Sequence, residues 1–426
     1  MSRADLEKLS KEELVELVLK LQRPPKTSRT SSKPPSTDRK AKRGNSKPGG
    51  AKPGHKGNAR RLCETPDKIV DHRPDRCPGC GAAFAPDAVG DVIGECDRID
   101  LPPITPFIER HRRLRCTCAG CGAMTKAPAP EAASGSPFGP GLVALVVYLK
   151  HCQMASYQRL QGLLADVTGL TVSQGALTSM LARAEQAFRP DYERILARLR
   201  RAEAVASDET GMRIEGVNGQ HWVFRSRDAI VHHVDFSRGA QVVRDVMGGH
   251  KPEFWLSDRY SAQQGHGEKH QTCLAHLARD INRVLEVGDE KIGLRLKCWM
   301  MDVFRFAGGI ASSARSTIAR KCRDLEERVD DILRQETACD VTAAVMRKIG
   351  NARDQLLTFV RRPDLVDTTN NGSERDLRMS VITRKVTNGF RALWAAQADA
   401  TIRTVVDTRR MSGASPYQTI RKTLTP

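Results

Sequence analysis

The sequence predicts an α+β protein of several domains, and three observations lead to this prediction. Its 426 residues exceed the length of a typical single domain. Apolar residues follow the period of strands between residues 201 and 276, whereas the regions on both sides follow the period of helices. A Pro-, Ser- and Lys-rich segment near the N-terminus follows neither period. We therefore expect a strand-containing core between helical regions, preceded by segments that build no large core.

Charge and hydropathy restrict the classes of partner. The chain carries 69 Lys and Arg residues against 50 Asp and Glu residues, a net charge of +19. This excess favours a polyanionic partner, with nucleic acid first and an acidic membrane surface second. The longest apolar run, residues 142–149, is too short to cross a bilayer, and no signal peptide is visible. The sequence therefore predicts a soluble intracellular protein.

The first 62 residues predict a helix followed by a basic arm. A helical leucine stripe, with a phase break in its middle, predicts a short amphipathic helix over residues 1–22: Leu6, Leu9, Leu14, Leu17 and Leu21. This helix either self-associates or forms a simple arm. Residues 23–62 hold thirteen Lys and Arg residues against one acid, Asp38, and are expected to be disordered in isolation. They form either a solvated linker or an arm along phosphates, and the charge density favours the arm.

Cysteine spacing predicts a zinc site in residues 63–126. An intracellular protein with twelve cysteines is expected to use them for metal binding rather than for disulfides. Two Cys-x-x-Cys-Gly turns are present, and their cysteines are the predicted Zn²⁺ ligands: Cys77, Cys80, Cys118 and Cys121. Cys116 is an alternative ligand in the second turn. Such a site performs no chemistry, but it makes a small module rigid.

Residues 127–200 follow with helical patterns. Residues 157–164 and 172–181 predict two helices on either side of a turn at Thr168 and Gly169, which is similar to a helix-turn-helix. An ordinary helical hairpin produces the same pattern, so both interpretations remain open. The first interpretation makes this region a DNA-binding element.

The region 201–276 predicts the central sheet. Three hairpin strands, a helix and two further strands are expected at residues 204–210, 220–225, 229–234, 241–247, 254–260 and 270–276. Asp208 and Asp258 stand at the ends of the first and fourth strands. This order suggests a ribonuclease-H-like core, in which those two strand ends lie side by side. Carboxylates fifty positions apart in sequence then meet.

A third acid follows a long helical insertion. Residues 277–366 are predicted to be almost entirely helical, and the last segment, 367–426, begins with small polar residues that are typical of a helix start. Glu374 lies in the first turn of that helix. Alone, the stretch predicts a capped surface helix with a Glu374–Arg378 pair. Together with Asp208 and Asp258, it predicts a three-carboxylate site for two Mg²⁺ ions.

Other polar residues near these acids have competing interpretations. Glu209 and Asp235 are rival acids, and strand alternation directs Glu209 to the face opposite Asp208, where a structural role is expected. Cys273 and His276 suggest a second zinc site, but no partner ligands are evident. We favour packing for Cys273, and for His276 and Arg279 a place in the active site or on DNA.

Several motifs occur in order over nearly the whole chain: residues 31–36, 52–57, the Cys77/Cys80 pair, 207–211, 257–261, 273–279 and 370–378. With them the sequence resembles the insertion-sequence DDE transposases of the TnpC type, which carry an N-terminal zinc-finger module. The combination is far more specific than any one motif.

The resemblance implies a metal-dependent enzyme of DNA strand cleavage and strand transfer. It assigns the catalytic roles to Asp208, Asp258 and Glu374, with Mg²⁺ or Mn²⁺ as cofactor beside the structural Zn²⁺. The expected partners are double-stranded DNA (element ends and target), further copies of the chain on that DNA and small accessory proteins, and no membrane. The expected location is the bacterial cytoplasm, nucleoid-associated when bound to DNA.

Basic residues near the third acid become candidates for DNA contact: Arg375, Arg378, Arg384 and Lys385, with His276 and Arg279. Two alternatives to the transposase remain open. One is a DNA-binding regulator, derived from a transposase, that has lost its chemistry. The other is a ribonuclease-H-like nuclease that cuts DNA without strand transfer.

Overall fold

The computed structural model describes residues 10–22, 24–31, 38, 54–56, 60–130 and 136–425. The chain divides into two units, residues 40–106 and the residues that flank them. Most of the predicted basic arm lies outside the described residues, as do Leu6 and Leu9 of the predicted leucine stripe. The described part of that stripe belongs to helix α1, Lys11–Gln22.

The remaining helices and strands follow in chain order: β1 Arg115–Thr117, β2 Met124–Lys126, α2 Pro140–Val147, α3 Tyr157–Thr168, α4 Gln174–Leu199, β3 Ala204–Ile214, β4 Val217–Arg225, β5 Ile230–Asp235, α5 Ala240–Met247, β6 Phe254–Ser257, β7 Lys269–Thr272, α6 Leu274–Val287, α7 Glu290–Gly309, α8 Arg315–Leu333, α9 Asp340–Asn351, α10 Asn371–Thr387, α11 Leu393–Met411 and α12 Pro416–Leu424. Among the described residues, no helix combines the length and the apolar character that crossing a membrane requires.

A mixed five-stranded sheet lies at the centre, and its strand order is β5-β4-β3-β6-β7. The strands β3, β4 and β5 pair antiparallel, whereas β6 and β7 continue the sheet parallel to β3. The predicted order of three hairpin strands, a helix and two strands is therefore confirmed. The α+β class is confirmed with it.

Strand β3 is longer than the sequence predicts. It continues past the acids to Ile214, and the hairpin turn falls at Glu215 and Gly216, which have φ of 55° and 82°. The polar residues and Gly211 interrupt the apolar alternation, so the local pattern ends early. Backbone pairing with β4 nevertheless extends to the pair Ile214↔Val217. Asp208 therefore lies within β3 and not at its end.

Helices cover both faces and one edge of the sheet. Phe188 of α4 and Val243 of α5 share a core with Trp222 on one face, whereas Leu377 of α10 packs with Val223 on the other. Helix α11 runs along the free edge of β5, where the Thr408 hydroxyl accepts from the N–H of Ile230. An open strand edge would otherwise expose unpaired backbone groups, so this helix completes the sheet.

The helical insertion of α6–α9 forms a second core, to which Phe254 of β6 also belongs. Trp299 is fully buried in it, and its indole N–H donates to the Leu325 carbonyl at 2.9 Å. The insertion begins and ends at one place, because the N–H of Leu274 donates to the Thr368 carbonyl at 3.0 Å. The long insertion therefore does not separate β6 from α10 in space.

Candidate active site

Asp208 and Asp258, the first two predicted acids, lie where the pairing of β6 with β3 ends. The parallel pairing of these strands ends at Ala206↔Leu256, and β6 itself ends at Ser257. Continued by two residues, the same register places Asp208 opposite Asp258. Beyond these residues β3 separates from β6, and on that side Ile214 next pairs in parallel with Phe390. Because β6 is shorter than β3, Asp258 follows its last residue and lies opposite Asp208.

Local hydrogen bonds orient both carboxylates. The Asp208 carboxylate accepts from the N–H of Glu209 at 2.9 Å, and the Asp258 carboxylate accepts from the N–H of Tyr260 at 2.9 Å. Each acid therefore has one backbone partner and keeps further oxygen lone pairs for other ligands.

The third predicted acid, Glu374, approaches from α10. Its carboxylate lies 3.9 Å from His276 Nε2 and 3.8 Å from a guanidinium nitrogen of Arg279, both on α6. Among the described residues, these contacts take the place of the Glu374–Arg378 pair that the isolated stretch suggests. The Glu374 side chain is 34% exposed, so its carboxylate remains open to a ligand.

Asp258 and Glu374 are near enough to Asp208 for their charges to act on its carboxylate. The pKa of Asp208 is raised well above its ordinary value, first by burial and then by the charges of Glu209, Asp258 and Glu374. Carboxylates held together in this way repel one another unless a cation lies between them. Oxygen ligands of this kind are the ones that Mg²⁺ and Mn²⁺ prefer, so the donor set fits these ions.

The rival acids have other partners. Glu209 binds the Arg238 guanidinium at 2.7 Å with one oxygen and the Gln263 amide at 2.7 Å with the other. Its carboxylate is therefore occupied within the protein. Asp235 lies on β5, two strands away from Asp208, and accepts from the N–H of Ser237 at 2.6 Å.

A basic cavity of about 650 Å³ opens beside Asp258 and His276. Four cationic residues line it: Arg238, Arg259, Arg279 and Lys348. Arg238 also stacks over the Tyr260 ring at 4.1 Å from the ring centroid. Sequence reasoning missed Arg238, Tyr260 and Lys348, because each is an ordinary polar residue whose place depends on distant elements.

The structure supplies the partner that Cys273 and His276 lacked in sequence. Potential ligand atoms of these two residues and of Glu374 lie within 4.8 Å of one another. Cys273 is fully buried, and burial raises the pKa of its thiol. Burial and the nearby Arg279 lower the pKa of His276, against the charge of Glu374. The Cys-x-x-His spacing at the start of α6 was the signal for this cluster.

The basic candidates of α10 divide into two groups. Arg375, Arg378 and Lys385 are exposed. The Arg384 guanidinium donates to the Gly211 carbonyl of β3, so this side chain is already engaged within the protein. Contact of any of these residues with DNA stays a prediction.

The two cysteine turns share one local geometry. The N–H of Cys77 donates to the Ala82 carbonyl, and the N–H of Cys118 donates to the Ala123 carbonyl, both at 2.8 Å. The glycines that follow the pairs, Gly81 and Gly122, have φ of 75° and 71°, a conformation that favours glycine. Both turns therefore share one backbone shape, and their role as zinc knuckles stays a prediction.

The cysteine side chains also fit a thiolate site. Hydrogen bonds from the backbone N–H groups of Cys80 and Gly79 lower the pKa of the Cys77 thiol. The N–H groups of Cys121 and Gly120 do the same for Cys118. A lower pKa favours the thiolate, which is the form that binds Zn²⁺. Cys116 lies in β1, paired with Thr125, outside the second turn. The two turns belong to different units, so a site that combines them stays a prediction.

Comparison with known proteins gives the class and the family. Residues 135–398, more than half of the chain, match the family described as "Transposase IS66 family", and the match includes Asp208, Asp258 and Glu374. The protein is therefore an insertion-sequence transposase by class. It belongs to the IS66 transposase family, and membership of a transposase family implies DNA binding.

Two relatives come from Sinorhizobium fredii (strain NBRC 101917 / NGR234). Uncharacterized protein y4jD is 22% identical over 388 residues, which cover 82% of this chain and 74% of that protein. Uncharacterized protein y4hP is 26% identical over 163 residues, which cover 37% of this chain and 29% of that protein. These names carry no activity, so the chemistry of the present chain has to be argued from its own site.

Proposed function

We propose that this protein is a DDE transposase with a ribonuclease-H-like core. It binds the ends of its element, hydrolyses a phosphodiester at each end, and uses the freed 3′-hydroxyl to attack target DNA. The observation that carries the proposal is the place of Asp208 opposite Asp258 in the continued β3–β6 register, with Glu374 near enough that its charge, after burial and the charges of Glu209 and Asp258, raises the pKa of Asp208. Three neighbouring carboxylates repel one another unless a cation binds between them, and this supports a metal-binding role.

The chain's own residues have distinct parts in the proposed reaction. Asp208, Asp258 and Glu374 would hold two Mg²⁺ or Mn²⁺ ions, which activate the attacking oxygen and stabilise the leaving oxygen when bound. Arg238, Arg279 and Lys348 line the cavity next to these acids and are suited to hold phosphates of the substrate strand. Covalent attachment of DNA to the protein is not required.

The ribonuclease-H-like assignment rests on strand order. Three antiparallel strands are followed by a crossover helix and two parallel strands, and the acids lie on β3, just after β6 and on α10. The β3–β6 adjacency is the feature of that architecture that brings Asp208 and Asp258 together. This supports the assignment beyond the presence of the acids in sequence.

DNA recognition is assigned to regions outside the carboxylate site. Helices α3 and α4 flank a turn in which Gly169 has φ of 72°, and Ser173 caps α4. This geometry supports the helix-turn-helix interpretation of residues 127–200. The zinc module and the basic arm would add phosphate contacts. The homo-oligomer on DNA and the accessory proteins remain expectations from the resemblance.

The test uses purified full-length protein, labelled element ends and Mg²⁺. We expect the wild-type protein to nick the ends and to join them to target DNA, and Asp208→Ala to do neither. Asp235→Asn is the matched control, because it removes the charge of a partly exposed acid on β5 and should leave nicking unchanged. Nicking by Asp208→Ala at the wild-type rate would refute the proposal.

Two further outcomes would select the alternatives. Cleavage without joined products points to a nuclease without strand transfer. Sequence-specific binding to the ends, with no cleavage under any divalent metal, points to a regulator that has lost its chemistry.

A further inference from the structure

Asn370 occupies the N-cap position of α10 but does not cap that helix. An N-cap asparagine ordinarily accepts a hydrogen bond from an N–H of the first turn. Here the side chain makes no such bond. Its amide Nδ2 instead donates to the Ser207 carbonyl of β3 at 2.8 Å. Asn370 is 2% exposed and Ser207 fully buried, so water does not compete for this bond.

A second link runs from the backbone of Asn370 to Cys273. The Asn370 N–H donates to the Cys273 sulfur at 3.1 Å. The N–H of Cys273 in turn donates to the Ser257 carbonyl at 2.9 Å. Both Cys273 and Ser257 are fully buried. Asn370 is thus connected, through one intervening residue, to the end of β6.

Each of the three acids has one of these hydrogen bonds at the peptide next to it. Ser207 directly precedes Asp208, and Ser257 directly precedes Asp258. The Asn370 carbonyl accepts from the N–H of Glu374 itself at 3.1 Å. Asn370 therefore binds the peptides beside Asp208 and Glu374 directly and the peptide beside Asp258 through Cys273, although the acids belong to β3, the end of β6 and α10.

We propose that Asn370 and Cys273 are positioning residues that set the relative placement of the three carboxylates and hence their affinity for divalent metal. Hydrogen bonds one step behind a ligand commonly determine its orientation. The sulfur of Cys273 acts here as a buried acceptor, not as a metal ligand. This inference rests on the proposed function, because it assumes that the carboxylates bind metal.

The test measures Mn²⁺ binding to the full-length protein by electron paramagnetic resonance titration, without DNA. We expect Asn370→Ala to weaken Mn²⁺ binding about 10- to 100-fold, the usual effect of losing a residue behind a metal ligand. The chain offers a matched control in the neighbouring exposed asparagine, and Asn371→Ala should bind as the wild-type protein does.

A pair of variants at Cys273 provides an independent measurement. Cys273→Ala removes the acceptor for the Asn370 N–H, whereas Cys273→Ser keeps an acceptor at that position. We expect Mn²⁺ affinity to fall with Cys273→Ala and to recover in part with Cys273→Ser. The Mg²⁺ concentration for half-maximal nicking should shift in the same order, with the maximal rate regained at high Mg²⁺.

The outcomes separate this inference from the proposed function. Asp208→Ala serves as the reference that loses the metal site. Wild-type Mn²⁺ affinity in Asn370→Ala and Cys273→Ala, together with loss in Asp208→Ala, would overturn the inference alone. Wild-type affinity in Asp208→Ala would overturn the proposed function, and the inference with it. If Asn370→Ala does not fold, the Mn²⁺ affinities of Cys273→Ser and Cys273→Ala decide whether the inference holds.

Discussion

The buried Arg403 of α11 connects the edge of the sheet to the helix that carries Glu374. Its side chain is only 4% exposed. The guanidinium donates to the Ser380 hydroxyl at 2.7 Å and to the Asp376 carbonyl at 2.8 Å, both on α10, and lies 3.4 Å from the Asp407 carboxylate. We predict that Arg403→Ala strongly destabilises the protein, because it leaves Asp407 without this counter-charge and two acceptors without a donor.

The magnitude follows from the burial of the pair. Removing one partner of a buried ion pair costs about 3–5 kcal/mol; the two acceptors left without a donor add to this loss, whereas the contact of Asp407 with His232 at 3.1 Å reduces it. One kcal/mol corresponds to about 2–4 °C in a domain of ~150–250 residues, so we expect the unfolding midpoint to fall by about 6–20 °C. Arg410 binds the same carboxylate at 3.5 Å but is 47% exposed. Its loss should cost at most about 1 kcal/mol, because solvent screens an exposed pair.

Thermal unfolding of Arg403→Ala and Arg410→Ala at pH 7, followed by circular dichroism, tests this reasoning. A third variant, Arg403→Met, retains most of the apolar stem and separates loss of charge from loss of packing. The reasoning is wrong if Arg403→Ala lowers the midpoint no further than Arg410→Ala does.

Two other predictions concern acid stability and zinc. Burial raises the pKa of Asp399, but its 2.6 Å bond with His151 and the charges of His151 and Arg403 outweigh burial and hold this pKa at about 2, below the ordinary 3.8. The stabilisation by ionised Asp399 is complete above about pH 4 and is lost as the pH falls toward 2. Asp399→Asn should therefore lose less free energy of unfolding over that interval than the wild-type protein. Parallel curves of unfolding free energy against pH for the two proteins would contradict this. For zinc, metal analysis should find that Cys77→Ser and Cys118→Ser lose the ion that wild-type protein and Cys116→Ser retain. Loss in Cys116→Ser with retention in Cys118→Ser would instead place Cys116 at the metal.

Much of the sheet was predictable because its signals are local. Strands β4 and β5 and helix α5 alternate or repeat apolar residues with clear periods, and their observed bounds lie close to the predicted ones. Strand β3 was predicted too short, because its last residues are held by pairing with β4 and not by an apolar pattern. A strand end that depends on a partner strand is invisible to a local pattern.

The candidate site shows the same difference between local signals, which the sequence carries, and long-range contacts, which it does not. Asp208, Asp258 and Glu374 were predicted from sequence because acids next to apolar strands and at a helix start are conspicuous, and their catalytic role stays a prediction. Asn370 belongs to the small polar residues that are typical of a helix start, whereas its amide donates to the Ser207 carbonyl across the core. Any residue offers a carbonyl oxygen, so no sequence pattern marks the one that a distant side chain will reach.

The sequence by itself therefore determined the candidate groups: three acids, two cysteine turns and an excess of basic residues. Only the tertiary structure decided how those groups are placed. It directs Glu374 toward His276 and Arg279 of α6, engages Arg384 with Gly211, and connects all three acids through Asn370 and Cys273. The physical reason is that residue type fixes charge and ligand character locally, whereas distances between carboxylates depend on strand register and on buried hydrogen bonds between segments far apart in the chain.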